Sequence, residues 1–359
     1  MILLNPGPVN LTAGVREALA GPDLCHRESE FANLQASIRQ KLLDVYGLSS
    51  RKWAAVLLAG SGTAAVEAML TTVMPQERKL LVIENGVYGE RMSTIARVHG
   101  IRYRILSHAW GAVLNLDGIQ RALALDPDIS HVAVVHHETT TGRLNDLTAL
   151  GSLCRARGID LLIDAVSSFG AEALDFEKYR IAGCAATANK CLHGAPGVSF
   201  VIVRRDQLPA QGTAMRTLYL DLAAYCREQD RRGTPFTQPV QLFYALHQAL
   251  VELQETGGWQ ARRARYLALA REVRAGLVEM GIKPLLTQGE TSAVLSAYYL
   301  PAGISYPTLH DTLKAQGFII YGGQGELAQR IFRISVMGAI EQSDIDRLIG
   351  AFQSAGRIA

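Results

Sequence analysis

Short uninterrupted hydrophobic runs alternate with helix-like segments over the first two thirds of the chain. The runs span residues 54–59, 80–83, 131–136, 161–163 and 198–203. Continuous rather than alternating hydrophobicity is typical of strands that are buried on both faces, and helices between such strands form parallel crossovers. The pattern therefore predicts a mostly parallel α/β sheet covered by helices on both sides, with functional side chains beyond the carboxyl ends of its strands.

The pattern changes after about residue 255. A glycine pair precedes a long helical stretch at residues 259–280, and shorter elements follow at 293–300, 308–316, 319–321 and 331–336. A chain of 359 residues has room for roughly two domains. We therefore expect a large domain at residues 16–255 and a smaller α+β domain formed by residues 256–359 together with the N-terminal segment 1–15.

Composition and charge exclude several classes of protein. Hydrophobic residues make up 48% of the chain and charged residues 19%, which fits a folded protein with large cores. The net charge of +3 is spread along the chain, unlike the basic stripe of a nucleic-acid-binding protein. The densest basic cluster fits a solvated helix face; it consists of Arg262, Arg263, Arg265, Arg271 and Arg274.

Cysteine usage and hydropathy bear on the compartment. The five cysteines include no Cys-x-x-Cys pair, which argues against a disulfide framework or a zinc site. The N-terminus lacks the basic and apolar regions of a signal peptide, and no apolar run approaches the length of a membrane span. These features predict a soluble cytoplasmic protein without a membrane or nucleic-acid partner.

The segment Gly-Ser-Gly-Thr at residues 60–63 lies where a hydrophobic run ends and a helix begins. Backbone N–H groups, two hydroxyl groups and the positive end of the helix can together bind an anion. The segment lacks the G-x-G-x-x-G pattern of dinucleotide-binding proteins and the Gly-Lys-Ser/Thr of a P-loop. On its own, it fits a phosphate site and an ordinary helix N-cap equally well.

Asp164 and Lys190 each follow a hydrophobic run and allow two interpretations. Asp164 either caps a following helix or keeps a cationic group of a ligand protonated. Lys190 either extends to solvent or is a partly buried nucleophile with a lowered pKa. Pyridoxal phosphate requires these groups in combination: a lysine for the Schiff base, an aspartate for the pyridinium nitrogen and a helix N-terminus for the phosphate.

The longer motifs of the chain resemble those of the class V aminotransferases, which have the aspartate-aminotransferase-like (type I) fold. The resemblance spans nearly the whole chain and is carried by residues 5–8, 60–68, 85–92, 137–142, 164–170 and 188–191. It implies a large α/β domain with a mostly parallel sheet, a smaller C-terminal α+β domain and pyridoxal 5'-phosphate as cofactor. The triple threonine at 139–141 and the Asn-Lys-Cys at 189–191 are most similar to members that act on 2-aminoethylphosphonate and pyruvate.

The resemblance also implies individual roles around the cofactor. Lys190 would form the Schiff base and then act as general base and acid, and Asp164 would pair with the pyridine nitrogen. Tyr88 would stack on the pyridine ring. The other implied cofactor contacts are Ser61, Gly62 and Thr63 at the phosphate, Thr139 or Thr140 on the side of the ring hydroxyl, and Ser167 beside Asp164.

Two threonines resemble a segment that reaches the neighbouring subunit in this family. Thr237 matches a family position at the cofactor phosphate of the second subunit, and Thr234 lies three residues earlier. A loop-capping role is the alternative for both residues. The family role would make the active unit a homodimer with shared active sites.

Substrate recognition is assigned by the same resemblance. Arg333 lies in a strand-like stretch at which family members bind the carboxylate or phosphonate of the substrate, as bidentate anion recognition requires. Asn5, Pro6 and Gly7 would line the substrate site with backbone atoms. We expect no metal site, because the histidines near the motifs, His136, His137 and His193, have no acidic partners at metal-ligand spacing.

One segment departs from the pattern of many phosphonate-degrading members. Cys-His-Arg-Glu at residues 25–28 replaces an acidic stretch that contains tryptophan, and it resembles a segment found in other class V enzymes. His26 or Arg27 would supply a second contact to the substrate anion, or both residues would pack near the cofactor.

The function expected from these observations is a pyridoxal-phosphate-dependent aminotransferase. It would convert 2-aminoethylphosphonate and pyruvate to phosphonoacetaldehyde and alanine, in either direction, by a ping-pong mechanism through Lys190. The alternative within the family is an alanine–glyoxylate or serine–glyoxylate aminotransferase, because one arginine can bind either anion. A nucleotide-binding oxidoreductase fits less well, because it leaves Lys190 unexplained and the chain lacks the dinucleotide-binding pattern. A non-catalytic carrier or regulator that binds the cofactor also fits less well, because the sequence has no evident DNA-binding segment and has the complete set of Lys190, Asp164 and Arg333.

Overall fold

The computed structural model describes residues 1–356. Its strands are β1 (Ile2–Leu3), β2 (Trp53–Ala59), β3 (Lys79–Glu84), β4 (Tyr103–Ser107), β5 (Ile129–Val135), β6 (His137–Glu138), β7 (Arg143–Leu144), β8 (Asp160–Asp164), β9 (Ile181–Thr187), β10 (Val198–Arg204), β11 (Leu295–Tyr299), β12 (Phe318–Ile319), β13 (Tyr321–Gly322) and β14 (Ile331–Ser335). The hydrophobic runs singled out in the first two thirds of the sequence coincide with β2, β3, β5, β8 and β10, except that residue 136 lies just after the end of β5.

The helices separate most of these strands. They are α1 (Ala13–Ala18), α2 (Ser29–Asp44), α3 (Gly62–Val73), α4 (Val87–Val98), α5 (Leu116–Leu125), α6 (Leu147–Ala156), α7 (Leu222–Asp230), α8 (Val240–Glu255), α9 (Gly258–Glu279), α10 (Tyr306–Ala315) and α11 (Gln342–Gly356). Several begin at a side-chain cap, as at Asn115, Asp146 and Ser305, whose oxygens accept from N–H groups of the first turn.

Seven strands form the central sheet in the order β2-β10-β9-β8-β5-β3-β4. The pairs from β9 to β4 are parallel, whereas β10 runs antiparallel to both β9 and β2. The β9–β10 connection is too short for the dozen or more residues that a parallel crossover requires, so β10 returns beside β9 in the opposite direction. The predicted mostly parallel α/β sheet is confirmed.

Helices cover the central sheet on both faces. Successive residues of β2 point to opposite sides: Ala55 and Leu57 belong to one hydrophobic core, and Ala54, Val56 and Leu58 belong to the other. This alternation follows from the two-residue period of a strand. Helix α2 packs on the first face and α3 on the second, which explains why the strand sequences are hydrophobic without interruption.

The C-terminal part has its own sheet and core. Strands β11, β14 and β13 form an antiparallel sheet, and β1 pairs in parallel with β12, so the N-terminal segment joins this part of the fold. The expected strand at 319–321 is divided between β12 and β13 at Ile320. The division of the chain into residues 16–255 and 256–359 stays a prediction.

The arginines of α9 correct one sequence-based interpretation. Arg262 was expected on a solvated face, but it is 9% exposed and its Nη1 donates to the carbonyl oxygens of Cys191 and Leu192 at 2.7 and 3.2 Å. Arg265 and Arg274 also donate to backbone carbonyls, of Ile340 and Leu286. These arginines tie the long helix to loops, because a guanidinium group can satisfy carbonyls that have no helical or strand partner.

Within residues 1–356, no helix combines the length and the hydropathy needed to cross a membrane.

Candidate active site

Lys190 lies in the turn between β9 and β10, beyond the carboxyl end of β9. Its half-buried side chain turns toward the N-terminal segment, where Nζ donates to the carbonyl oxygen of Pro6. Gly7 is required beside it, because a Cβ there would lie 2.6 Å from the Lys190 Nζ and φ is +105°. Burial lowers the pKa of Lys190 to about 8, and the nearby charges of Arg333 and Arg91 act in the same direction.

Asp164 ends β8, the strand beside β9, and is 6% exposed. Its Oδ1 accepts a hydrogen bond of 3.0 Å from Val166 N, and no helix begins directly after it, so it does not act as a helix cap. Burial raises its pKa to about 6, while the Val166 N–H, Arg91 and Lys190 oppose the shift. The carboxylate is therefore charged at neutral pH and lies close enough to Lys190 for each to shift the pKa of the other.

The predicted phosphate cradle lies at the first turn of α3. Ser61 is the N-cap residue, and its side chain makes no capping bond to the helix. A Cβ on Gly62 would lie 2.7 Å from Cγ1 of Val166, two residues after Asp164, so the cradle is packed directly against the Asp164 segment. Free N–H groups of a helix N-terminus with an uncommitted hydroxyl fit a phosphate group.

Tyr88 lies in the first turn of α4, close to the cradle. The guanidinium carbon of Arg91 lies 4.8 Å from the centroid of the Tyr88 ring, and Arg91 Nη1 donates to Thr63 Oγ1 at 3.4 Å. Arg91 therefore connects the ring expected to stack on the cofactor with the phosphate cradle. Arg91 belongs to the motif at residues 85–92, but the sequence analysis assigned no role to it. Its spacing of three residues from Tyr88, about one helical turn, could have indicated that the two side chains are in contact.

Two candidate hydroxyl groups differ in how they are bonded. Thr140 is fully buried, and its Oγ1 donates to Glu138 Oε1 at 2.6 Å while it accepts from Val87 N at 3.2 Å. Thr139 uses its backbone carbonyl to accept from Arg333, and none of the described residues bonds its hydroxyl group. Of the pair left open by the sequence, Thr139 has the hydroxyl group that is available to a ligand.

Ser167 is buried, and both its hydroxyl group and its carbonyl group have partners within the protein. Its Oγ donates to the carbonyl oxygen of His137 at 3.0 Å, and its own carbonyl accepts from Cys191 Sγ at 3.3 Å. Burial lowers the pKa of both His136 and His137 to about 4, so these rings are neutral. This cluster supports the loop around Asp164 and Lys190.

Arg333 extends from β14 and is 2% exposed. Its Nε donates to Gly322 O at 2.9 Å, and its Nη1 donates to Thr139 O at 2.9 Å and to Gln324 Oε1 at 3.3 Å. Within the part of the chain that the structure describes, Nη2 has no acceptor. Burial lowers the pKa of Arg333, opposed by Tyr88, Tyr306, Glu138 and Tyr321. A buried guanidinium without a carboxylate partner is suited to an anionic ligand.

The N-terminal segment contributes directly to the site. Pro6 and Gly7 contact Lys190, and Asn5 is 3% exposed with Nδ2 donating to Pro8 O at 3.1 Å. The Oδ1 atom of Asn5 is buried, and none of residues 1–356 donates a hydrogen bond to it. An orphaned buried acceptor beside the lysine is consistent with a ligand that donates a hydrogen bond there.

The structure does not bring four other candidates into this cluster. His26 is half-buried with an unpartnered Nε2, Arg27 is exposed, and no hydrogen bond of the described residues joins either to Lys190 or Arg333. Thr234 donates to Phe236 O at 3.2 Å, whereas Thr237 is exposed. Their assigned roles stay predictions.

Residues of the C-terminal part of the chain form hydrogen bonds to the turn that contains Lys190. Arg262 donates to the two carbonyls after Lys190, as described above. His193 Nε2 accepts from Gly338 N at 3.0 Å and is hydrogen-bonded to the Tyr266 hydroxyl group. Burial holds the pKa of His193 well below its usual range, so the ring is a neutral acceptor.

The assembled site has a lysine of lowered pKa, a charged buried carboxylate, a helix N-terminus and a guanidinium with free N–H groups. This donor set fits a cofactor with an aldehyde, a ring nitrogen and a phosphate, together with an anionic substrate. Among the described residues, no group of three His, Cys, Asp or Glu side chains is placed to hold a metal ion.

Comparison with known proteins agrees with this geometry. The sequence profile of the family described as Aminotransferase class-V matches residues 17–348. The 2-aminoethylphosphonate–pyruvate transaminase of Vibrio vulnificus is 39% identical over 360 residues, covering 99% of this chain and 97% of that protein.

Two solved structures resemble the fold over nearly its whole length. The alanine–glyoxylate aminotransferase of Nostoc sp. has a TM-score of 0.92 at 26% identity, covering 99% of this chain and 94% of that one. The aspartate aminotransferase of subgroup IV from Thermus thermophilus has a TM-score of 0.90 at 26% identity, covering 100% and 99%.

Proposed function

The chain belongs to the class V aminotransferases, and from this premise we propose that it exchanges an amino group between 2-aminoethylphosphonate and pyruvate. The products would be phosphonoacetaldehyde and alanine, in either direction. The observation that carries the substrate assignment is the 39% identity, over nearly the full length of both chains, to a transaminase named for these two substrates. The predicted family, fold class and cofactor are confirmed by the family match and by the likeness to aminotransferase structures.

Pyridoxal phosphate is the cofactor, and this chain provides a group for each of its ends. Lys190 would hold the aldehyde carbon, Asp164 the ring nitrogen, and Ser61, Gly62 and Thr63 the phosphate. When bound, the cofactor takes up the amino group and stabilises the negative charge on the carbon that loses a proton.

The residues of the chain account for proton movement. Lys190 has a pKa lowered to about 8, so its Nζ can both accept and return a proton near neutral pH. Asp164 is ionised at the same pH and would keep a proton on the ring nitrogen. The Pro6 carbonyl accepts a hydrogen bond from Nζ and so holds the lysine beside the N-terminal segment.

Arg333 would bind the acidic end of either substrate. Its Nη2 has no acceptor among the described residues, and the bond from Nη1 to Gln324 is the longest of its three, at 3.3 Å. An incoming anion would therefore bind Nη2 and displace Gln324 from Nη1, which gives a two-point contact. The bonds to Gly322 and Thr139 hold the guanidinium plane during this exchange.

An alanine–glyoxylate or serine–glyoxylate exchange is the second candidate. The observation in its favour is the TM-score of 0.92 to an alanine–glyoxylate aminotransferase, although identity to it is only 26%. A single arginine binds a carboxylate and a phosphonate by the same hydrogen bonds, so the geometry of Arg333 supports either substrate.

We also propose that the active unit is a homodimer with shared sites. Met215, Leu218 and Tyr219 are 59%, 75% and 45% exposed, although their side chains are large and hydrophobic. The Tyr219 ring packs 5.0 Å from Phe236, the neighbour of exposed Thr237. A second copy on this apolar surface would bury it and place Thr237 at the interface.

A single monomer mass in light scattering at working concentrations would contradict the dimer. A cytoplasmic location likewise stays a prediction.

A two-substrate assay tests the proposed reaction. Purified protein loaded with pyridoxal phosphate is incubated with 2-aminoethylphosphonate and pyruvate, and alanine is quantified over time. Parallel reactions use alanine or serine as the donor and glyoxylate as the acceptor, and the glycine that forms is quantified. We expect the phosphonate–pyruvate pair to give the highest kcat/KM. A higher value for a carboxylate donor with glyoxylate would replace the proposed substrate by the second candidate.

A further inference from the structure

Glu138 is a buried carboxylate that no role described so far uses. It is 0% exposed, and burial raises its pKa to about 7. Among the described residues it forms no ion pair, and its bonds come from N–H and O–H donors only. A buried acidic side chain needs such donors, because water is excluded and an unpaired carboxyl group is costly.

The two carboxylate oxygens of Glu138 accept hydrogen bonds from different parts of the chain. Oε1 accepts from the backbone N and the hydroxyl group of Thr140, at 3.1 and 2.6 Å. Oε2 accepts from the backbone N of Tyr88 at 3.2 Å, in the first turn of α4. The acidic side chain also lies at the positive end of that helix, which stabilises the arrangement further.

The neighbouring backbone is shaped around this carboxylate. Gly86 precedes α4, and a Cβ at that position would overlap the Glu138 side chain. The Thr140 hydroxyl group donates its hydrogen to Glu138 and accepts a hydrogen bond from Val87 N. These two bonds hold Thr140 between the turn after β6 and the first turn of α4. The same turn directs the Thr139 carbonyl to Arg333 Nη1 at 2.9 Å.

The short segment 138–140 therefore touches both ends of the site. Through Glu138 it fixes the helix turn that carries Tyr88, the ring expected to stack on the cofactor. Through Thr139 it fixes Arg333, the group expected to bind the substrate anion. The guanidinium and the ring are set relative to each other by one buried side chain and one carbonyl.

We propose that Glu138 is a positioning residue that aligns Tyr88 with the cofactor and Arg333 with the substrate anion. The proposal rests on the proposed function, because it takes the two groups to be cofactor and substrate contacts. Glu138 acts through Tyr88, Thr140 and Thr139 and does not itself touch the reacting atoms.

The first test compares Glu138→Gln with Glu90→Gln. A glutamine retains one acceptor oxygen, so the amide faces the Thr140 donors or the Tyr88 N–H with hydrogen atoms on both sides, and one bond is lost. Glu90 lies on the same helix, exposed, and a glutamine there retains an acceptor for the Trp110 N–H. Three quantities are measured: the melting midpoint without cofactor, the affinity for pyridoxal phosphate by its visible band, and KM and kcat separately.

For Glu138→Gln we expect cofactor affinity to fall about tenfold and the KM of the anionic amino donor to rise severalfold, because one buried donor is left unsatisfied. The melting midpoint without cofactor should fall by only a few degrees relative to Glu90→Gln, because the same buried donor is unsatisfied in the cofactor-free fold, so both variants are folded at the assay temperature. Cofactor affinity and KM equal to those of Glu90→Gln, measured on folded protein, would overturn the proposal.

A second pair of variants covers the case in which Glu138→Gln does not fold. Thr140→Val removes the hydroxyl group that donates to Glu138, and Thr140→Ser retains it. We expect the valine variant to weaken cofactor binding severalfold and the serine variant to restore it; equal affinities would contradict the proposal. If the unaltered protein itself shows no visible band with pyridoxal phosphate, the proposed function fails, whereas normal binding with insensitive variants overturns only the role of Glu138.

Discussion

The two ends of the active site are built in different ways. The phosphate cradle uses three consecutive residues at the start of α3, and its binding groups are mainly backbone N–H groups and hydroxyls. Arg333 is held instead by carbonyl and amide oxygens: Gly322 and Gln324 precede it by 11 and 9 residues, whereas Thr139 precedes it by 194 residues. The difference indicates that cofactor binding is a local property of strand ends and helix starts, whereas substrate choice depends on tertiary contacts.

Replacing Lys190, which lies between the two ends of the site, has the largest expected effect, because the reaction with either end requires it. Lys190→Ala removes the nucleophile and the proton carrier together, so kcat/KM should fall by roughly 10³-fold or more. The visible band of the bound cofactor should disappear as well. The measurement is the amino-transfer rate combined with the absorption spectrum.

Lys314→Ala is the matched control, because Lys314 is an exposed lysine on α10. It should leave both the rate and the spectrum unchanged. Retention of the visible band in Lys190→Ala would contradict the assignment of the lysine.

Replacing Arg333 tests the substrate end alone. Arg333→Ala should lower kcat/KM by roughly 10²-fold, mainly through KM, because a buried anion contact is lost. The visible band should persist, since the cradle, Asp164 and Lys190 are intact. Steady-state kinetics with varied amino donor and a spectrum of each variant measure the two effects.

Arg330→Ala serves as the control, because Arg330 is exposed and lies three residues before Arg333 in the sequence. It should change neither KM nor the spectrum. Loss of cofactor binding in Arg333→Ala, with an unchanged melting midpoint, would show that the two ends are not separable.

A methyl group at residue 62 tests the cofactor end alone. Gly62→Ala would place Cβ 2.7 Å from Val166 Cγ1, so the cradle must shift and cofactor affinity should fall about tenfold. Val166→Ala in the same chain should recover part of the affinity by making room. Gly350→Ala, with open space at the added Cβ, is the control. Full affinity in the single variant would contradict the packing argument.

The pH dependence of cofactor addition gives the smallest and most specific test. Burial lowers the pKa of Lys190 to about 8, so its neutral, nucleophilic form increases as the pH rises through this value. Addition of pyridoxal phosphate to the cofactor-free protein should accelerate about threefold between roughly pH 7.5 and 8.5 and then level off. A rate that still rises steeply near the pKa of an ordinary lysine would contradict the lowered value.

Sequence reasoning predicted the local end of the site more completely than the remote end. Ser61, Asp164 and Lys190 follow hydrophobic strands, and the sheet brings such positions to one edge without further information. The choice between Thr139 and Thr140 depends on which hydroxyl group is bonded to both Glu138 and Val87, and the Val87 bond forms only after the turn that follows β6 meets α4. The role of Glu138 was missed for the same reason.

Arg262 shows how a local pattern can mislead. Arginines at helical spacing are typical of a solvated helix face, yet Arg262 is buried against the turn after Lys190. The loop carbonyls of Cys191 and Leu192 that attract it are remote in sequence, so spacing along α9 carries no sign of them. By contrast, the antiparallel direction of β10 follows from the shortness of its connection to β9.

The most direct test of the central claim is a titration of the visible cofactor band with 2-aminoethylphosphonate, followed by pyruvate. The account predicts that the phosphonate bleaches the band in the unaltered protein and that pyruvate restores it. In Arg333→Ala the same bleaching should require much more phosphonate. Bleaching by alanine or serine but not by 2-aminoethylphosphonate would contradict the assigned substrate while leaving the aminotransferase chemistry in place.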